Sequence, residues 1–211
     1  MSERINQRIS IPALVSYIGT KERICMDKKR LLMLVEIAIF AAIGLVLDQV
    51  SFKVWAQGGS VSLVMVPIML IAFRWGLVAG LTTGLLVGVM QTMFGAYIVH
   101  WLQGLLDYGV AFTVVGLAAI VRGPLLEAAN QQNKTKMALY IILGTVFAGF
   151  LRYAAHTIAG SVFFAEYAGD QNAWIYSIIY NGTYMLPATI LTAIVGVLLF
   201  TAAPQLMKHK A

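Results

Sequence analysis

Arg152-Tyr-Ala-Ala-His156-Thr-Ile-Ala-Gly160 is the stretch from which the rest of this sequence is best interpreted. It lies inside a long apolar run, where an arginine and a histidine are costly to bury and by default mark a functional pocket or pathway. Arg152 and His156 are four residues apart, so they share one face of a helix. The alternatives are that Arg152 only extends its charge to the outer interface and that His156 is a packing residue.

The composition of the chain indicates that this helix lies in a membrane. The chain has 211 residues, of which 60% are hydrophobic and only 11% are charged, and its mean hydropathy is +0.81. Soluble domains carry roughly 25% charged residues. The composition therefore predicts an integral membrane protein and excludes a soluble catalytic domain. Cys25 is the single cysteine, so no internal disulfide can form.

Apolar segments separated by short polar or glycine-containing segments predict an all-α integral membrane protein with six transmembrane helices. A membrane helix needs about 20 residues, and the length of the chain leaves room for six with short loops. Residues 74–76 (Arg-Trp-Gly) are interpreted as a tight turn between the second and third spans. The predicted spans are residues 31–50, 61–73, 77–94, 102–121, 138–164 and 174–203.

The basic residues predict the orientation of these spans. With six spans, the lysines and arginines of the connecting segments from residue 28 onward fall on one side, except Lys53, which lies on the other; Arg152 lies within the fifth span. Cytoplasmic segments are enriched in lysine and arginine, so both termini are predicted to be cytoplasmic. The net charge of +6 is attributed to this orientation and not to a nucleic-acid partner. Residues 1–25 are expected to be a disordered N-terminal extension, and residues 26–211 to form the six-helix substrate-binding domain.

Polar side chains of three predicted spans converge at a similar depth below the outer surface. Gln103 and Asp107 share a face because they are four residues apart. A carboxylate, a histidine, an amide and several aromatic rings suit a small, flat, polar heterocycle, especially a cationic one. The alternative for Asp107 is a structural ion pair with Arg152. The convergent set is Gln103, Asp107, Tyr108, Arg152, Tyr153, His156, Tyr176, Tyr180 and Asn181, with Trp55 and Trp101 in loops above it.

Signatures of enzymes and metal sites are absent from the sequence. No G-x-x-x-x-G-K-[ST] phosphate loop, H-E-x-x-H pair or cysteine cluster occurs. Ser161 follows His156 by five residues on the same helix, so the two side chains point apart and do not form a catalytic dyad. The chain is therefore predicted not to be an enzyme, and no cofactor and no metal are expected.

Small residues predict close helix packing at two places. Ala38-x-x-x-Ala42 in the first span is a small-xxx-small pattern. Gly80, Gly84 and Gly88 repeat every four residues and are expected to form a ridge against a neighbouring helix. Between these spans, Gly58-Gly59 lies in a polar loop that is expected to fold over the site as a lid or to be a plain connection.

Four motifs together resemble a known family. The sequence is similar to the substrate-binding S-components of energy-coupling-factor (ECF) vitamin transporters, specifically to the thiamine-specific ones. The resemblance extends over about residues 26–204. Its motifs are Trp55-Ala-Gln-Gly-Gly-Ser-Val-Ser62, Leu106-Asp-Tyr108, Arg152-Tyr-x-x-His156-x-x-x-Gly160 and Trp174-x-Tyr176-x-x-x-x-Asn181.

The resemblance implies a multi-pass protein of the bacterial plasma membrane that captures thiamine from outside and performs no chemistry. The implied partners are thiamine, a transmembrane coupling protein and two cytoplasmic ATPases, with Ala38 and Ala42 contacting the coupling protein. Asp107 stands where the family usually has glutamate, and Phe164 where it has tryptophan. The implied ligand-binding residues are Trp55, Asp107, Tyr108, His156, Phe164, Tyr176 and Asn181.

Three alternatives stay open at this point. The chain could bind a different small vitamin, or a phosphate of thiamine, in the same site. It could be a stand-alone secondary transporter in which Asp107 and His156 relay protons. It could also be an intramembrane enzyme.

Overall fold

The computed structural model describes residues 11–53 and 58–208, which contain helices and loops but no β-strand. Phe52 and Val61 form an isolated antiparallel bridge. The fold class expected from the sequence, all-α, is therefore confirmed for these residues. The main helices are α1 (Ile11–Gln49), α2 (Met65–Trp75), α3 (Leu77–Thr92), α4 (Trp101–Asn130), α5 (Lys134–Phe163) and α6 (Ala173–Ala202).

Four of these helices are long and apolar enough to cross a membrane. They are α4, α5, α6 and the part of α1 at Lys28–Gln49, whereas α2 and α3 are shorter apolar helices. The predicted end of the fourth span at residue 121 is wrong as a helix boundary, because α4 continues to Asn130. The Arg122 guanidinium stabilises this continuation by donating to the Phe73 carbonyl at 2.8 Å. Pro124 lies in the first turn of the continuing segment, where its missing N–H is tolerated.

The chain divides into two compact units within α1, Met1–Val35 and Glu36–Ala211. Helix α1 begins at Ile11, so residues 11–25 are helical where the sequence predicts disorder. The polar residues of this segment include good helix formers, and this accounts for its helical backbone. That residues 1–25 form an extension remains a prediction. The site described below lies entirely in the second unit.

The predicted glycine ridge of α3 is confirmed, and it packs against α4. A Cβ atom on Gly80 would lie 3.1 Å from Cα of Gly116, and one on Gly84 would lie 3.0 Å from Cα of Thr113. These distances are shorter than ordinary carbon contacts, so the two backbones approach closely only because side chains are missing. The close approach brings the polar half of α4 next to the end of α3.

Charged side chains pair with one another where α1 and α2 meet. Arg74 Nε donates to Glu36 Oε2 at 2.6 Å, and a second guanidinium nitrogen donates to Glu36 Oε1 at 2.9 Å. Trp75 Nε1 also donates to Glu36, at 2.6 Å. The Arg74 guanidinium further donates to the carbonyls of Leu206 and Lys208. A bidentate pair of this kind is among the stronger charge-assisted contacts. We therefore assign the Arg74–Glu36 pair a structural role.

Candidate ligand-binding site

A cavity of about 190 Å³ lies among residues of α1, α3, α4, α5 and α6 and the loop residues from Gly58 to Ser60. Its lining combines carboxylates, amides, a histidine, an arginine and aromatic rings, a set typical of a site that orients a small polar ligand. The structure brings together here the following residues predicted from the sequence: Asp107, Tyr108, His156, Phe164, Tyr176 and Asn181.

Asp107 and His156 form a hydrogen-bonded pair at the centre of the polar lining. Nδ1 of His156 lies 2.7 Å from Oδ1 of Asp107, and the two side chains are 10% and 15% exposed, respectively. A carboxylate only accepts, so His156 donates through Nδ1–H and its Nε2 is left for another partner. Nε2 is buried and has no hydrogen-bond partner among the described residues. The pair therefore presents one imidazole nitrogen for a ligand.

Gln103 supports Asp107 from the preceding turn of α4. Its Nε2 donates to Oδ2 of Asp107 at 2.7 Å and to the Tyr97 carbonyl at 3.2 Å. Its Oε1 accepts from the Val99 amide at 3.1 Å. The four-residue spacing of Gln103 and Asp107 predicts that they share a face, and this is confirmed. With His156 on one oxygen and Gln103 on the other, the carboxylate is held in a fixed orientation.

A local change of helix geometry positions Asp107 and Tyr108. The segment Leu105–Val110 of α4 is π-helical, and the segment Val114–Val121 that follows Ala111–Thr113 is a 3-10 helix. A π-helical turn holds an extra residue, so it rotates the side chains relative to a regular α-helix, and such turns are frequent at functional sites. The Tyr108 hydroxyl accepts a hydrogen bond from the Tyr97 amide at 3.1 Å. The sequence gives no signal for this change of register.

Helices α5 and α6 meet at Gly160, beside the cavity. A Cβ atom on Gly160 would lie 3.1 Å from Nδ2 of Asn181, so the absence of a side chain admits the amide. Asn181 Nδ2 donates to the carbonyl and hydroxyl oxygens of Ser177, at 2.8 and 3.0 Å. Asn181 Oδ1 accepts from the Tyr184 hydroxyl. The amide donors are thus already used within the fold, and one lone pair of Oδ1 remains for a ligand.

Arg152 lies in the cavity wall but does not pair with Asp107. Its guanidinium carbon is 4.2 Å from the centre of the Phe112 ring, a cation–π contact. The alternative that Asp107 forms a structural ion pair with Arg152 is therefore wrong, because His156 occupies that position on the carboxylate. Arg152 Nε is buried and has no hydrogen-bond partner in the described part of the chain.

A second buried carboxylate, Asp48, ties the loop before α2 to the end of α1. Its Oδ1 accepts from Ser60 Oγ at 3.1 Å and from Ser62 Oγ at 2.9 Å. Its Oδ2 lies 4.0 Å from Lys53 Nζ. The Tyr180 hydroxyl donates to the Gly58 carbonyl at 2.9 Å. The loop is thereby fixed from two sides, and its residues from Gly58 to Ser60 line the cavity.

Aromatic side chains form the remaining wall. Phe164 stacks on Tyr97 with the ring centres 5.8 Å apart, and Tyr176 stacks on Tyr180 at the same separation, 5.8 Å. The hydroxyls of Tyr97 and Tyr167 are 3.2 Å apart, and this hydrogen bond raises the pKa of Tyr167 above its ordinary value. Trp55, the other predicted aromatic contact, lies outside the described residues.

Several residues predicted from the sequence do not line the cavity, and several lining residues were not predicted. Tyr153 donates to the Ile178 carbonyl, and Trp101 is exposed; neither lines the cavity. Ala38 and Ala42 are both exposed on α1. Within the described ranges, no cluster of three potential metal ligands occurs. The lining residues that the predicted set left out include Asp48, Gln91, Tyr97, Phe112, Ser177 and Tyr184.

Comparison with known proteins gives consistent similarities. The family model described as Thiamine transporter protein (Thia_YuaJ) matches residues 34–208. The thiamine transporter ThiT of Bacillus subtilis (strain 168) is 47% identical over 186 residues, which cover 86% of this chain and 97% of that protein. ThiT of Lacticaseibacillus paracasei is 35% identical over 187 residues, covering 86% and 93%.

A solved structure is also similar. A structure of ThiT from Listeria monocytogenes is 30% identical and has a TM-score of 0.81, covering 86% of this chain and 100% of that chain. The similarity therefore includes the three-dimensional arrangement as well as the sequence.

The packing of the loop on α6 can be tested with two neighbouring glycines. Gly58 and Gly59 both have positive φ, 90° and 107°, so alanine strains the backbone at either position. A Cβ atom on Gly59 would lie 2.7 Å from the Tyr184 ring, whereas one on Gly58 would meet nothing within 4 Å. We expect Gly59→Ala to speed amide hydrogen exchange at residues 58–62 by at least about tenfold more than Gly58→Ala does. Equal exchange in the two variants would contradict the packing of Gly59 on Tyr184.

Proposed function

The chain belongs to the thiamine transporter protein family, and on this premise we propose that it binds thiamine in the cavity as the S-component of an ECF importer. It is a multi-pass protein of the cell membrane. The observation that carries the proposal is the Asp107–His156 pair, which leaves Nε2 of the imidazole without a partner in the described residues. Ionisable groups at membrane depth mark substrate sites by default, and this pair lines the cavity.

The lining of the cavity suits the two rings of thiamine. The aminopyrimidine carries an amino group with two N–H donors, for which Asp107, His156 Nε2 and the free lone pair of Asn181 are acceptors. The thiazolium ring is a cation, which aromatic faces attract with about 0.5–2 kcal/mol each. Tyr108, Phe164 and Tyr176 line the cavity and would supply such faces, and Trp55 is proposed to add a fourth.

At two positions this chain has a different residue from the one that the resemblance implies. Asp107 is shorter by one methylene than the glutamate that the resemblance implies, and Gln103 holds the shorter side chain in place at 2.7 Å. Phe164 replaces the implied tryptophan, and it is buried against Tyr97. The aromatic surface is retained, and the indole N–H donor is lost.

We propose that α2 and α3 complete a six-span topology with both termini in the cytoplasm. The eleven residues of α2 extend over only about 17 Å, so this span is short and requires a locally thinner bilayer. Arg74, which pairs with Glu36, lies in the last turn of α2. Arg122, which donates to the Phe73 carbonyl, lies within α4. Because arginine and lysine are enriched in cytoplasmic segments, we propose that this end of α2 faces the cytoplasm.

The proposed partners are a transmembrane coupling protein and two cytoplasmic ATPases, which would supply the energy for import. The exposed Ala38 and Ala42 lie four residues apart on α1, a spacing at which a second helix can approach closely. In this scheme the chain needs no cofactor of its own, and it is not an enzyme.

The binding site can be tested by titrating intrinsic fluorescence with thiamine in detergent. The chain has 4 tryptophans and 9 tyrosines, and we expect quenching at submicromolar thiamine. Asp107→Asn keeps the shape but removes the charge, so we expect at least tenfold weaker binding, or about 1.4 kcal/mol. Glu166→Gln is the matched control, because Glu166 is exposed and does not line the cavity. Unchanged affinity in Asp107→Asn would remove Asp107 from the site, and a wild-type chain that binds another vitamin but not thiamine would contradict the ligand.

The hydrogen bond between Asp107 and His156 also favours a second candidate function, a proton-coupled secondary transporter. Two directly bonded titratable groups at membrane depth resemble the proton relays of such transporters. Vesicles containing this chain alone distinguish the candidates. We expect no thiamine accumulation under an imposed proton gradient, and ATP-dependent accumulation once the coupling protein and the ATPases are added. Accumulation driven by the gradient in the chain alone would favour the second candidate.

A further inference from the structure

Within the second unit, helix α1 packs closely on its neighbours at Gly44. A Cβ atom on Gly44 would lie 3.1 Å from the Val87 side chain of α3 and 3.4 Å from the Pro67 side chain of α2. Glu36 is eight residues, or about 12 Å, further toward the start of the helix. Beside it, Ile37 is 3% exposed. The position of this end of α1 therefore depends on the contacts of Glu36 as well as on the packing of Ile37.

The contacts of Glu36 join α1 to the end of α2. Its two carboxylate oxygens accept from the Arg74 guanidinium at 2.6 and 2.9 Å, and one of them also accepts from Trp75 Nε1 at 2.6 Å. The Glu36 and Arg74 side chains are 16% and 19% exposed, respectively, so water and salt screen this pair less than they screen a surface pair. Three bonds to two neighbouring side chains fix both the distance and the angle of α1 at this end.

Arg74 is in turn held by the backbone of other elements, which makes it a rigid anchor for Glu36. Its guanidinium donates to the carbonyls of Leu206 and Lys208, in the segment that follows α6. The Arg122 guanidinium of α4 donates to the Arg74 carbonyl at 3.1 Å. The contact of Glu36 therefore sets the position of α1 relative to α2, α4 and the end of α6 together.

The exposed face of α1 near Glu36 allows close helix packing only in a narrow range of orientations. Ala38 and Ala42 are exposed, and small residues four apart let a second helix approach closely. The next positions at the same spacing are Ile39 and Ile43, which are 51% and 41% exposed. One residue corresponds to about 100° of rotation. A rotation of α1 well below that angle therefore already moves bulky isoleucines toward the approaching helix.

We propose that Glu36 is a positioning residue for assembly: held by Arg74 and Trp75, it sets the orientation in which α1 presents Ala38 and Ala42 to the coupling protein. The inference rests on the proposed S-component function and on the proposed contact at the two alanines. Glu36, Arg74 and Trp75 lie outside the lining of the cavity. The proposal therefore separates two properties, because this contact acts on assembly and leaves thiamine binding unchanged.

Assembly is tested with Glu36→Ala, which removes all three bonds, and with Trp75→Phe, which removes one. Each full-length variant is mixed in detergent with the coupling protein and the ATPases, and the dissociation constants of the assembly and of thiamine are measured. We expect assembly to weaken at least about tenfold in Glu36→Ala and about threefold in Trp75→Phe. Thiamine affinity is expected to stay within about twofold of the wild type in both variants.

Glu127→Ala is the matched control, because Glu127 is an exposed acid of α4 whose carboxylate accepts from Gln131 of the same helix. Unchanged assembly in Glu36→Ala would overturn the proposal. A parallel loss of thiamine affinity would overturn it as well, because it would indicate a general change of the fold. An equal loss of assembly in Glu127→Ala would also contradict a role specific to Glu36.

A double-variant cycle with Ala42→Val tests whether Glu36 acts through the alanine surface. Ala42→Val enlarges a side chain of that surface and is expected to weaken assembly by itself. When Glu36 positions this surface, the loss in the double variant is smaller than the product of the two separate losses, because correct placement gains little once the surface is obstructed. Independent losses that multiply would contradict the positioning role.

The two levels of inference fail separately. The proposed function fails when the wild-type chain does not bind thiamine or does not assemble with the coupling protein and the ATPases. The positioning role fails when the wild-type chain does both and the Glu36 variant assembles equally well. The melting temperature of each variant without ligand shows whether it is folded. Where Glu36→Ala does not fold, Trp75→Phe decides: weaker assembly with unchanged thiamine affinity supports the role, and unchanged assembly overturns it.

Discussion

A carboxylate among apolar helices is stable only when it is paired and hydrogen-bonded, and the arrangement around Asp107 meets this constraint. His156 Nδ1 binds one oxygen and Gln103 Nε2 the other, both at 2.7 Å. For these bonds to form, the polar faces of α4 and α5 must oppose each other. The glycines of α3 let α4 pack closely on one side, and Gly160 admits Asn181 of α6 on the other. The cavity is what remains between helices arranged in this way.

Polar side chains at the junction of α1 and α2 differ from those in the cavity in how fully they are paired. At the junction of α1 and α2, Glu36 and Arg74 satisfy each other, and the Arg74 donors are used. In the cavity, Gln91 Nε2, Arg152 Nε and the remaining ring nitrogen of His156, Nε2, lack hydrogen-bond partners within the described residues. Buried polar groups are rarely left unpaired in folded proteins. The contrast between Arg74 and the cavity residues supports the cavity as the proposed ligand site.

Much of the site follows from residue spacing, because hydropathy defines the helices and spacing defines their faces. Gln103 and Asp107 share a face, and Arg152 and His156 both line the cavity, as predicted. Spacing within one helix does not fix the rotation of its neighbour, so it could not decide whether Arg152 or His156 pairs with Asp107. The π-helical turn at Leu105–Val110 depends on packing and leaves no trace in the hydropathy. Gln91 is an amide within an apolar helix, a feature that the sequence does contain.

The most direct test of the central claim is an experimental structure of the chain with thiamine bound. The account predicts the aminopyrimidine within about 2.6–3.2 Å of an Asp107 oxygen and of His156 Nε2, with the Asp107–His156 pair retained. Thiamine bound outside the cavity, or inside it without contact to Asp107 and His156, would contradict the account.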